Sequence, residues 1–235
     1  TFFIEPMGVV KANNELRELH AAEEKEIDRI LAALSAECAA SKEDIRQDYD
    51  LLILIDEIFA RGRLSLRMDA AAPRLSRRGI ALRRARHPLL DPAKAVANDL
   101  FLGEKFDTLV ITGPNTGGKT VTLKTLGLLT LMVQCGLHIP VAADSQAVVF
   151  DRVLADIGDE QSIAQNLSTF SSHMTNIVGI LKEAGERTLI LFDELGAGTD
   201  PVEGAALAAA VIEEARGLGA LVAATTHYAE LKVYA

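Results

Sequence analysis

This sequence predicts an α/β fold with a mainly parallel sheet, preceded by a helical segment. Three observations carry that expectation. From Phe101 onward, short apolar runs alternate with helical stretches. The runs are continuously apolar, as strands covered on both faces are. Earlier in the chain, apolar residues recur at helical spacing instead.

The 235 residues suit one or two domains. An apolar content of 49% with 24% charged residues is ordinary for a globular chain. The net charge of −9 excludes a generic polyanion binder, so any nucleic-acid contact needs a local basic patch. Cys38 and Cys135 have no metal-ligand spacing and read as reduced thiols of a cytoplasmic protein. No apolar run is long enough to span a bilayer. Opening on Thr1 and stopping at Ala235 within a promising segment, the chain reads as a fragment of a longer protein.

Taken in order, residues 13–63 read as helix. Leu16, Leu19, Ile27, Ile30, Leu31 and Leu34 form one apolar series, and Leu51, Leu52, Leu54, Ile55, Ile58 and Phe59 a second. Asn13 or Asn14 suits a cap and Gly62 a stop. Two readings stay open: a helical hairpin packed on itself or on the next domain, and a partner-binding coiled coil with few heptads. Strands are then expected at Thr108–Thr112, 147–150, Thr188–Phe192 and 220–225. Helices are expected at Lys119–Gln134, 169–184 and 205–216. The expected division is a helical segment over 1–72 and an α/β domain over 73–235. Arg74, Arg77, Arg78, Arg83, Arg84 and Arg86 crowd one stretch, either as a solvated loop and strand edge or as phosphate contacts.

Gly113, Pro114, Asn115, Thr116, Gly117, Gly118, Lys119 and Thr120 fit G-x-x-x-x-G-K-[ST], between an expected strand and an expected helix that continues with Val121. Glycines there let backbone N–H groups converge on phosphates, and the helix adds its positive end. Lys119 would bridge the β- and γ-phosphates of ATP, and Thr120 would ligate Mg2+. Asp193 and Glu194 close the strand TLILF at the edge where ligands of parallel sheets bind. Asp193 would hold Mg2+ and Glu194 would act as general base, whereas a solvated acidic pair is the plainer reading. His227, just beyond the last strand, would reach the γ-phosphate; a structural histidine is the alternative. Ser168 and Thr169 suit a helix N-cap, or an anion site at the same place. Together these residues predict ATP hydrolysis with Lys119, Glu194 and His227 as the catalytic set.

The order of GPNTGGKT at 113–120, a serine-rich signature, Asp193-Glu194 and TTH at 225–227 resembles the ABC-superclass P-loop ATPases. STF at 168–170 and DELGAGTDP at 193–201 resemble the MutS family within it. FIEP at 3–6, the helices that follow and RHPLL at 86–90 resemble its type-two bacterial branch. The resemblance covers nearly the whole chain. It implies core and lever helices leading into a homodimeric ATPase. Ser168 and Thr169 of one subunit would then face the γ-phosphate held by the other. Gly196, Ala197, Gly198, Thr199 and Asp200 would cross the dimer interface, and Gln161 would help sense Mg2+ and nucleotide. It further implies work on branched DNA, recombination intermediates or collided ribosomes, with any nuclease activity outside this chain. The signature is not LSGGQ, which speaks against a transporter ATPase. Roughly seventy residues separate the glycine-rich motif from Asp193-Glu194, too few for the long coiled coil of a chromosome-structure ATPase.

Overall fold

The computed structural model describes residues 6–114, 117–158, 166–228 and 231, with the side chains of 166–169 outside that set. The chain divides into two compact units, Thr1–Phe59 and Ala60–Ala235.

The first unit is helical. α1 (Met7–Ala40) starts at Met7 behind Pro6, not at an asparagine cap. α2 (Lys42–Met68) follows after Ser41 alone. The Ser41 N–H donates to the Glu37 carbonyl at 3.3 Å, and the Ile45 N–H donates to the Ser41 carbonyl at 3.0 Å. Both bonds have the i→i−4 spacing of an α-helix, and Ser41 caps α1 between them at φ −99°, ψ 14°. The expected hairpin does not form: α1 and α2 do not pack against each other, and both apolar series remain exposed. The sequence offers the reason: no glycine, proline or turn cluster separates the two apolar series. Gly62 is no stop either, since α2 continues past it to Met68. A lone helical glycine costs only about 1 kcal/mol.

Among its described residues, the second unit holds two four-stranded sheets. One is wholly parallel, in the order β4 (Thr108–Thr112), β8 (Leu221–Thr226), β7 (Thr188–Phe192), β6 (Arg152–Asp156). The other is β1 (Arg74–Ser76), β5 (Gln146–Val148), β2 (Ile80–Ala85), β3 (Asn98–Leu102). There β2 pairs antiparallel with both β3 and β5, and β1 pairs parallel with β5. The expected strand at 147–150 thus belongs to a mixed sheet rather than to the parallel one. The parallel expectation holds for the sheet built on the continuous apolar runs.

Alternation along β7 decides how that sheet is covered. Leu189 and Leu191 join one core cluster with Leu123, Leu126 and Leu129 of α3 (Lys119–Gln134). The same cluster contains Ile80, Leu82 and Leu100 of the second sheet. Ile190 and Phe192 point the other way, into a cluster with Ile177 and Ile180 of α4 (Asn166–Glu183) and Ala208, Val211 and Ile212 of α5 (Pro201–Gly217). Successive strand residues face opposite sides, so only an unbroken apolar run can serve two cores.

This packing makes a contrast along α3 testable. Leu129 is fully buried, whereas Leu131 is 46% exposed. Leu129→Ala should cost about 2–5 kcal/mol of unfolding free energy. Leu131→Ala should stay within about 1 kcal/mol. Denaturant unfolding of both variants checks the assignment of faces, and comparable losses would overturn it.

Candidate functional site

The site lies where the parallel strands end. β4 finishes at Thr112, and Gly113 and Pro114 lead into a turn in which the Gly117 N–H donates to the Pro114 carbonyl at 3.0 Å. Gly118 starts α3 in the left-handed conformation, φ 74°, where a side chain is disfavoured. A Cβ on Gly113, Gly117 or Gly118 would meet nothing within 4 Å, so the loop faces open space. Asn115 and Thr116 lie outside the described residues, as does Gln161.

Lys119, the first residue of α3, is only 3% exposed. Its Nζ donates to the carbonyls of Gly113 and Thr226 and lies 3.3 Å from His227 Nδ1. Thr120 Oγ1 donates to Asp193 Oδ1 at 3.1 Å. Thr225 Oγ1 donates to the same oxygen, and Asp193 is 8% exposed. His227 Nε2 lies 3.1 Å from Glu194 Oε1. An ammonium has donors only, so Nδ1 accepts and Nε2 carries the proton that it donates to Glu194. Lys119, Thr120, Asp193, Glu194 and His227, singled out at separate places in the sequence, form one connected group.

Glu194 has a left-handed backbone, φ 51°. Its N–H donates to Thr225 Oγ1 at 2.8 Å, which fixes the turn beyond β7. The loop 196–200 follows, with Gly196 at φ 86° and Gly198 at φ 91°. Asp200 caps α5 by accepting from the N–H groups of Val202 and Glu203, at 3.0 and 3.4 Å. Thr199 Oγ1 donates to Glu203 Oε2 at 3.3 Å.

α4 starts at Asn166, three residues before the expected start at 169, so Ser168 and Thr169 fall inside its first turn instead of capping it. Phe170, the next residue, packs beside Gly198. Further along, His173 Nδ1 and Asn176 Nδ2 each sit 2.8 Å from an oxygen of Asp156, a buried carboxylate at the end of β6.

Sequence reasoning missed the cavity beside the glycine-rich loop. Its volume is about 280 Å3, and its lining includes His87, Lys94, Val96, Asn98, Gly118 and Val121. Burial, then the charge of Lys124, pushes the His87 imidazole below its ordinary pKa. Its Nδ1 accepts the Leu89 N–H at 3.3 Å, so the ring is neutral with its proton on Nε2. The legible signal was RHPLL, which marked a resemblance but suggested no contact with the loop.

The arginine cluster divides. Arg83 pairs with Asp144 at 3.1 Å and Arg86 with Asp69 at 3.2 Å. The Arg84 N–H donates to Asp99 Oδ1 at 2.7 Å. The structure gives Arg74, Arg77 and Arg78 no carboxylate partner among the described residues. Cys38 and Cys135 are free and exposed. No described helix is long and apolar enough to cross a membrane.

Residues 109–235 match the family model of MutS domain V. The whole chain is 60% identical to a protein named Endonuclease MutS2 from Listeria monocytogenes serotype 4a (strain HCC23). It is 57% identical to the protein of that name from Alkaliphilus oremlandii (strain OhILAs), and 58% to the one from Geobacillus thermodenitrificans (strain NG80-2). All of this chain is covered in each case, but it spans only 30% of the length of each relative. With a family model over more than half its length and matches of this identity end to end, the chain belongs to the MutS family, in its type-two branch.

Proposed function

We propose that this chain binds ATP with Mg2+ and hydrolyses it, as the P-loop ATPase part of a dimeric nucleic-acid clamp. One observation carries the reading. A buried lysine, a hydroxyl–carboxylate pair and a glutamate–histidine pair converge beside a glycine-rich loop at the carboxyl edge of a parallel sheet. That is the set of groups phosphoryl transfer to water needs, because catalysis there is mostly positioning and charge stabilisation.

The loop 113–118 and the first turn of α3 would wrap the phosphates, with Lys119 leaving its carbonyl partners for the β- and γ-oxygens. Thr120 and Asp193 fit Mg2+, since they offer hard oxygen donors 3.1 Å apart. When bound there, Mg2+ neutralises charge developing on the phosphates. Glu194 accepts the proton of the attacking water, and His227 holds that carboxylate in place. The cavity of His87, Val96 and Asn98 suits the base of the nucleotide, an apolar slot with a few polar groups. The γ-phosphate side left open by the loop would be closed by Ser168 and Thr169 of a second subunit across the loop 196–200, with Gln161 beside the metal.

Residues 1–72 would serve as lever and 73–235 as motor. Branched DNA, recombination intermediates and collided ribosomes are the substrates that this family membership suggests. An endonuclease activity, as in the relatives' name, would lie outside this chain.

Three outcomes test the reading. Lys119→Ala should lower turnover by at least about a hundredfold. It should also cost about 1–3 kcal/mol of stability, because the carbonyls of Gly113 and Thr226 lose their donor. Turnover near that of the parent would remove the P-loop assignment. Glu194→Gln keeps shape and hydrogen bonding but not basicity. It should bind a fluorescent ATP analogue normally and hydrolyse ATP about 10²–10⁴-fold more slowly. Normal hydrolysis would assign the base elsewhere. Finally, turnover per subunit should rise with protein concentration, and mixing Lys119→Ala with Ser168→Ala chains should restore part of it. Constant turnover in a proven monomer, without rescue, would mean that one chain holds the whole site.

A further inference from the structure

Beyond His227, Tyr228 is locked into the turn that follows the two acidic residues. Its hydroxyl donates to the Gly196 carbonyl at 2.9 Å. Its ring fills the space where Gly196 and Gly204 approach each other, and a Cβ on Gly196 would stand 3.0 Å from Tyr228 Cε2. A Cβ on Gly204 would collide with the Tyr228 hydroxyl and the Gly196 carbonyl. Burial and the neighbouring Asp200 raise the phenol pKa, so the hydroxyl keeps its proton and remains a donor.

This bond is the last of a series between two strand ends. The Glu194 N–H donates to Thr225 Oγ1 at 2.8 Å, and the Leu195 N–H to the Thr225 carbonyl at 2.9 Å. Thr226 Oγ1 donates to the Leu195 carbonyl at 3.2 Å. Tyr228 carries the series one residue further, to the point where the loop 196–200 leaves. The far end of that loop is anchored by Asp200 at the start of α5. Between the anchored Gly196 and Asp200 lies Gly198, at φ 91°, where the absence of a side chain allows the loop to change shape without strain.

We propose that Tyr228 is a positioning residue that ties the loop 196–200 to the strand end bearing His227, so that a shift of His227 moves the loop with it. The inference rests on the nucleotide-site reading above. His227 touches both Lys119 and Glu194, so nucleotide binding there would displace it. The rigid series from β8 then passes that displacement to the loop, and the hydroxyl of Tyr228 is the link at its junction.

Hydrogen exchange on the native protein tests this, with Tyr228→Phe keeping the ring and removing only the hydroxyl. In the parent, Mg·ATP should slow exchange over both 225–228 and 196–200. In the variant it should slow the first segment but not the second. Exchange over 196–200 without nucleotide should rise roughly threefold to tenfold, and kcat should fall by a similar factor at unchanged KM. Equal slowing of 196–200 in parent and variant would overturn the coupling, as would a changed KM with loop protection intact. In the parent alone, both segments should respond with the same midpoint as nucleotide is added, and separate midpoints would also overturn it. A parent in which neither segment responds would overturn the nucleotide reading, and this coupling with it.

Discussion

Burying an ammonium costs several kcal/mol unless its donors find acceptors, and at Lys119 that requirement shapes the whole edge of the sheet. The side chain leaves the first turn of α3 and ends among carbonyls from two strand ends, Gly113 after β4 and Thr226 in β8. Those strands are neighbours in the parallel sheet, paired in register from Thr108 with Val222 to Thr112 with Thr226. Bringing the lysine in therefore needs the glycine-rich turn to reverse within a few residues. It also needs α3 to sit directly over the strands. The left-handed Gly118 and the leucines of α3 in the core meet these needs.

The same edge concentrates charge of the opposite sign. Asp193 is nearly as buried as Lys119 and is held by two threonine hydroxyls, Thr120 and Thr225. Glu194 takes a left-handed backbone that costs a non-glycine residue of order 1–3 kcal/mol, persisting only where surrounding bonds over-determine it. Thr225 supplies that constraint twice, binding the Asp193 carboxylate and accepting the Glu194 N–H. One buried hydroxyl thus sets the two acidic side chains apart: Asp193 toward Thr120, Glu194 toward His227. Adjacent carboxylates can then take different roles because their environments differ.

How much of this was legible varies with the physics behind each element. β4, α3 and β7 carry the bounds that the sequence suggested, because an apolar run ending in glycine or acid marks a buried parallel strand. β1, β2, β3 and β6 went unseen. In β2, Ile80, Leu82 and Ala85 are buried while Arg83 and Arg84 point out, so arginines masked a half-buried antiparallel strand. β6 has an arginine and an aspartate at its ends and sits at the border of its sheet. The hairpin expectation fails because it needs a turn between the two apolar series that no residue there supplies. Within the site, the charged residues and Thr120 stood out in the sequence, but the structural roles of Thr225 and Thr226 did not. Thr225 and Thr226 read as the tail of an apolar strand, and only packing shows that their hydroxyls link two strand ends. Tyr228 and the cavity beside His87 depend on approaches between distant segments, for which spacing carries no signal.

Parallel topology explains why the remaining polar groups gather where they do. When every strand of a sheet runs the same way, every carboxyl end opens on one side, and polar residues there need not cross the core. β6 contributes Asp156, whose carbonyl accepts the Asp193 N–H at 2.9 Å. Its carboxylate meets His173 and Asn176, one turn apart on α4. A buried carboxylate with two such partners fixes the position of a helix far better than apolar packing alone, since hydrogen bonds have direction and side-chain methyls do not. The helix that begins with the serine-rich signature is in this way referenced to the same strand end as Asp193. The four strands, the signature helix and the loop after Glu194 are therefore aligned by polar bonds at one edge. The apolar runs beneath them decide only that the sheet exists and that both its faces are covered.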